Sequence, residues 1–158
     1  MATRGLVLLA KDTFTSVSNV QFDNVFSATY KQYKIIVNVT GANVNAEYVT
    51  SGTPYTTANY NRRTIEASGG TVSASNATSA NLISGLAGNN GVTIMEIKNP
   101  FQSTYTFAIT ATLENPASTI TINTRGHGIP VTNSFDGINF KASSGTITGS
   151  ITIYGLAQ

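Results

Sequence analysis

Apolar and hydroxylated residues alternate along much of the chain. In TYTFAITATL, Tyr105, Phe107, Ile109, Ala111 and Leu113 fall on one side, while Thr104, Thr106, Thr110 and Thr112 fall on the other together with Ala108. TITGSITIY sets Ile147, Ile151 and Ile153 against Thr146, Thr148, Ser150 and Thr152. QYKIIVNVT places Tyr33, Ile35, Val37 and Val39 on one face and leaves Ile36 as the apolar residue opposite, and STITINT adds Ile120 and Ile122. A period of two is that of a half-buried β-strand. Threonine and isoleucine are stiff at the first side-chain torsion and suit a pleated surface, so propensity agrees with pattern. On this reading the apolar side of each strand faces the core, and Tyr105, Phe107 and Phe140 are core residues.

Turn signals separate these runs: TGAN near Gly41, SGTP at Ser51–Pro54, SGG at Ser68–Gly70, GNNG at Gly88–Gly91, ENPAS around Pro116 and RGHGIP before Pro130. Asn90-Gly91 tolerates positive φ and reads as a hairpin dipeptide. Strands are expected near 5–10, 14–20, 32–40, 44–50, 60–67, 91–98, 103–113, 118–124, 135–141 and 145–155. Only FSATYKQY, Phe26–Tyr33, has room for a short helical turn, and no longer window keeps a helical apolar stripe. The low-complexity stretch Ser68–Gly85 reads as a polar crossing or an exposed hairpin. Short strands without intervening helices predict a single all-β domain over residues 1–158, an antiparallel two-sheet sandwich, jelly-roll-like, with about 8–10 strands.

Composition sharpens this picture. The chain has 158 residues, 41% of them hydrophobic, enough to build a core, but only 10% charged, far below the roughly 25% of ordinary globular chains. Uncharged Thr, Ser and Asn hydrate the surface instead, and burying a hydroxyl against another subunit costs less than burying an ion. A net charge of +2 without a polybasic run beyond Arg62-Arg63 gives no case for a nucleic-acid partner. The apolar run Leu6–Ala10 is too short for a signal-peptide core or a membrane span. It is expected to form the first strand of an unprocessed chain made in the cytosol.

Candidate chemistry is sparse. The absence of cysteine excludes disulfides, thiolate metal sites and thiol nucleophiles. The single histidine, His127, lies between two glycines and reads as a loop residue, since no carboxylate stands near it in sequence to orient a base or share a metal. No two of the seven carboxylates fall within ten residues of each other, so no local acid pair or calcium loop exists. GLAGNNG lacks the Gly-Lys-Ser/Thr ending of a phosphate loop. No cofactor, metal site or catalytic group is therefore expected. A polysaccharide depolymerase would need distant carboxylates such as Glu47 and Glu66 to converge. YVTSGTPYTTANYNRR gathers Tyr48, Tyr55, Tyr60, Arg62 and Arg63. Tyrosine and arginine favour interfaces and also stack on or hydrogen-bond sugars, so these five are the candidate interface or glycan contacts, with plain strand packing as the alternative.

Two segments carry a resemblance. VSNVQFDNVFSATYKQYKIIVNVTG, Val17–Gly41, resembles an opening pattern of tailed-phage virion proteins, and SFDGINFKASSGTITGSITIYGL, Ser134–Leu156, resembles their closing pattern. Together they cover a little under a third of the chain. The resemblance implies a β-sandwich or jelly-roll virion module of the capsid decoration (cement) type or of the tail or fibre type, possibly from a cyanophage, with no catalytic residues to carry over. A chain that opens almost directly on its first strand tilts this toward a small stand-alone subunit. The expectation is a homotrimer on the virion's capsid surface, made in the host cytoplasm. Its partners would be the major capsid protein and copies of itself, without nucleic acid or membrane. The alternative is a tail-associated module that reads a host surface glycan.

Overall fold

The computed structural model of the protein describes residues 5–56, 60–68, 70–79, 83–115 and 119–157, and these contain β-strands and no helix. At one edge of the larger sheet β1 (Gly5–Val17) pairs with the last strand, β13 (Ile147–Ala157), which in turn pairs with β3 (Gln32–Gly41). Next comes β9 (Gly91–Lys98), then β10 (Thr106–Glu114), β11 (Thr121–Ile129), β6 (Tyr60–Ser68) and the opposite edge, β7 (Thr71–Ser79). The smaller sheet runs β2 (Asn19–Phe22), β12 (Gly137–Ala142) and β4 (Val44–Thr50), and β4 also pairs with β5 (Thr53–Pro54) and β8 (Ile83–Leu86). Every pairing is antiparallel.

Two facing sets, β1-β13-β3-β9 and β2-β12-β4-β8, have the strand order of an eight-stranded jelly roll. The remaining strands are insertions into it. The β4–β8 connection throws out β5, β6 and β7, and the β9–β12 connection throws out β10 and β11. From them β10, β11, β6 and β7 continue the larger sheet beyond β9 as a four-stranded extension. The expected all-β sandwich is therefore present, with more strands than expected, because residues 51–86 form β5, β7 and β8 in addition to β6.

The core lies between the jelly-roll sheets. Tyr33, Ile35, Val37 and Val39 of β3, Met95 and Ile97 of β9, and Ile147, Ile151 and Ile153 of β13 meet Val44, Ala46 and Tyr48 of β4 and Ile138 and Phe140 of β12. At one end the aromatics close the sandwich. Tyr48 stacks on Phe135 with ring centroids 4.9 Å apart, and Phe26 meets Tyr33 edge-on at 4.7 Å. The Tyr33 hydroxyl accepts from Ser27 N and donates to the Ser27 carbonyl, which fixes the turn at 26–33 without a helix. The final strand thus sits between β1 and β3 and fills the core with its isoleucines.

Three local expectations are corrected. β1 continues to Val17 through two bulges, one of them marked by Ser16 at φ 52°, where two strands were expected. RGHGIP forms no turn, because β11 runs through Ile129 paired on both sides, and His127 lies within a strand. Asn89 and Asn90 do take positive φ, but they lead from β8 in one sheet to β9 in the other and make no hairpin.

Ile151 and Ile153 are fully buried, and truncating a buried isoleucine to alanine costs about 2–5 kcal/mol. Ile151→Ala with Ile153→Ala is expected to unfold the domain at moderate temperature, whereas Thr152→Ala on the opposite face shifts the melting midpoint little. Thermal melts followed by circular dichroism check this. Equal, small shifts would mean that β13 is in the other register.

Candidate interaction face

The extension inverts the usual arrangement of a strand. β10 pairs with β9 so that Thr110 lies beside Met95 and Ile109 beside Glu96. Since Met95 points into the core, the threonines of β10 point inward and Phe107, Ile109, Ala111 and Leu113 point outward. Phe107 is 53% exposed and Tyr105 50%, so of the three aromatics expected in the core only Phe140 is there. Pairing carries the inversion across β11, where Ile122 faces out while Asn123, Arg125 and His127 face in. It continues into β6, where Ile65 faces out and Thr64 in.

The inner side is a buried polar layer. Thr93 and Thr112 share a hydrogen bond of 2.9 Å, and Thr93 Oγ1 also accepts from the Ala87 N–H at 2.8 Å. Arg125 donates to the Gly85 carbonyl of β8, and its guanidinium lies against that glycine. Gly85 has φ +74°, which favours glycine, and a Cβ there would stand 3.0 Å from Arg125 Cζ, so a side chain would also press on the guanidinium. Thr110 Oγ1 lies 3.4 Å from His127 Nε2. Asn123, the Arg125 Nε and His127 Nδ1 are buried without a hydrogen-bond partner. Burial, and then the positive charges of Arg125 and Arg62, hold the His127 pKa down to about 3. The imidazole is therefore neutral at physiological pH and neither sits in a loop nor serves as an exposed base.

The outer side is apolar and open. Ile65, Val72, Ile94, Phe107, Ile109, Leu113 and Ile122 are each 40–72% exposed. In register, Ile94, Ala111 and Thr124 lead to Ile65 in one row, and Val92, Leu113 and Ile122 lead to Ala67 and Val72 in the next. Toward β1 the face ends in a cleft of about 450 Å³ with Leu6 and Leu156 on one side, Phe107 and Ile109 on the other, and Lys34, Glu96 and Lys98 in its lining. The edge strand β7, TVSASNATS, carries neither charge nor proline, the residues that ordinarily guard a free edge.

The five candidate contact residues do not share one surface. Tyr48 and Tyr60 are buried and stack on each other with ring centroids 6.1 Å apart. The Tyr60 hydroxyl accepts from Tyr48 N and donates to the Tyr55 carbonyl, and Tyr55 packs edge-on against Phe135. These tyrosines brace the aromatic end of the core and present no free ring pair to a sugar. Arg62 and Arg63 are consecutive in β6, so Arg62 shares the polar inner side and Arg63 the outer one. The open apolar face includes Phe107, read from sequence as core, together with Ile65, Val72 and Ile94, whose sequence carries no such reading. The sequence of β11 carries no signal of this, since Asn123 and Arg125 opposite Ile122 read as an ordinary solvent face.

Glu47 and Glu66 do not converge on one site. Glu47, on the smaller sheet, is buried and bound to Lys141 Nζ at 2.8 Å and to Asn139 Nδ2 at 3.2 Å. Glu66 lies on β6 opposite Asn123. Among the described residues no group of three His, Cys, Asp or Glu could hold a metal ion, and no helix is long and apolar enough to cross a membrane. Compared with known protein families and with curated proteins, the chain matches none.

The depressed His127 pKa gives a pH dependence with a definite sign. Between about pH 6.5 and 3 the unfolded chain takes up a proton that the folded protein refuses. Stability is therefore full above that window and falls through it as pH drops, by at most about 1.4 kcal/mol per pH unit. His127→Gln cannot take up that proton. Urea unfolding at pH 7 and pH 5 is expected to show a larger loss for the native chain than for this variant. Equal losses would mean that the imidazole is hydrated in the folded protein.

Proposed function

We propose that the protein is a non-enzymatic structural protein of a tailed-phage virion, a subunit that decorates or cements the capsid surface. In this reading it works as a multimer whose partners are the major capsid protein and copies of itself. The observation that carries the proposal is the apolar outer face of the β10-β11-β6 extension, set over a polar interior. A soluble monomer rarely leaves so wide an apolar patch open, and such patches mark contacts with other proteins. The resemblance to virion proteins adds support from elsewhere in the fold. Val17–Gly41 spans β2 and β3, and Ser134–Leu156 spans β12 and most of β13, so both segments belong to the jelly roll and neither to the extension. A shared framework with its own added binding face suits a subunit adapted to one particle.

The glycan-reading alternative loses its aromatic platform, because Tyr48 and Tyr60 lie in the core. Location on the particle separates the two readings. Gold-labelled antibody against this protein is expected to mark the capsid shell of purified virions, in copy numbers that scale with the capsid subunits. Label confined to the tail tip, or adsorption blocked by the purified protein, would overturn the proposal in favour of receptor binding.

A further inference from the structure

We infer that the outer face of β9, β10, β11, β6 and β7 is the contact between copies of this chain, so that its occupant is a second copy packed sheet against sheet. The inference rests on the assembly reading above and identifies both the surface and the partner. Size is the first argument. A half-exposed large apolar side chain leaves on the order of 100 Å² open, so the seven residues from Ile65 to Ile122 leave on the order of 700 Å². That exceeds the few hundred Å² usual for a monomer's largest patch. It approaches the roughly 800 Å² that each partner contributes to a standard interface.

Gly126 is the second argument. It lies in the middle of β11 on this same face, between Ile109 of β10 and Arg63 of β6. Its backbone is outside the left-handed region, and a Cβ built on it would meet nothing within 4 Å. Neither the backbone nor the subunit's own atoms require a glycine there, and glycine within a strand weakens it. Close approach of another chain does require one. Gly128, next on the same side, has the Phe107 ring 3.6 Å from its Cβ position. The Phe107 ring therefore covers Gly128, and the face carries a furrow at Gly126 beside a ridge of Phe107 and Ile109.

Self-complementarity selects a copy of the chain over another partner. Ridge and furrow occur on one surface, and at its Phe107 end that surface carries both signs of charge, Glu96 with Lys34, Lys98 and Arg63. A face that offers each feature together with its complement is what contact between identical chains needs. Two such sheets pack about 10 Å apart with their strands within about 30° of each other.

The test is the mass of the full chain by sedimentation at micromolar concentration. The native protein is expected at a multiple of 16.6 kDa, and Ile109→Lys with Ile122→Lys at the single-chain mass with an unchanged circular dichroism spectrum. Gly126→Val fills space that is open in the isolated subunit. It is expected to keep the melting behaviour of the monomer and weaken association at least tenfold, which covers the case in which the double lysine variant fails to fold. A native protein that sediments as a monomer at tens of micromolar overturns the inference, as does Gly126→Val with undiminished association. So does a double variant that stays oligomeric but no longer binds capsids, since the occupant is then the capsid protein. A monomer that still labels the capsid shell removes this inference alone, whereas an oligomer held by this face but absent from virions removes the virion reading alone.

Discussion

The pairing of β10 with β9 is the constraint on which the rest depends. β9 lies at the boundary between the jelly roll and the extension, with Met95 and Ile97 in the core and Ile94 and Glu96 outside. Its neighbour must place each side chain on one face or the other, and a slip of one residue would exchange the two sets throughout β10, β11 and β6. The observed register puts Thr110 beside Met95 and Thr112 beside Thr93. A slip would bury Phe107, Ile109 and Leu113 under β8 and turn Arg125 and His127 to solvent. The bonds of Thr93 to Thr112 and Ala87, and of Arg125 to Gly85, hold the register against that exchange.

That choice is costly for an isolated subunit. Apolar area stays in water, while Arg125, His127 and Asn123 are buried with polar atoms unpaired, each at a cost of about 1–3 kcal/mol. The jelly roll supplies the stability to carry it. Its core runs unbroken from the isoleucines of β13 through Tyr33 and Tyr48 to Phe135, and its aromatic end is closed by hydroxyl-to-backbone bonds.

The two parts also divide the chemistry. In the sandwich the charged groups pair locally, as Glu47 does with Lys141 and Asn139 across β4 and β12. In the extension the basic groups Arg62, Arg125 and His127 gather inside, where burial first, and then the charges of the two arginines, keep the imidazole neutral.

By itself the sequence determined the all-β class, the antiparallel sandwich, the strand cores and the inward face of β3 and β13. These follow from side-chain alternation and β-branched propensity, which are local properties of each strand. Alternation also separated the two sides of β10 correctly, with Phe107, Ile109 and Leu113 opposite the threonines. Which side faces in is not local. A strand of period two is symmetric between its faces until a neighbour breaks the symmetry, and only pairing to β9 did so. The same reason accounts for Tyr48 and Tyr60, whose polar, arginine-rich flanks suggested a surface, whereas β4 lies in the small sheet facing Tyr33 and Phe135. It accounts for His127 as well, since glycines on both sides read as a turn until strands on both sides claimed them. Tertiary structure decided the orientation of faces, because burial belongs to the assembled sheets and not to any one strand.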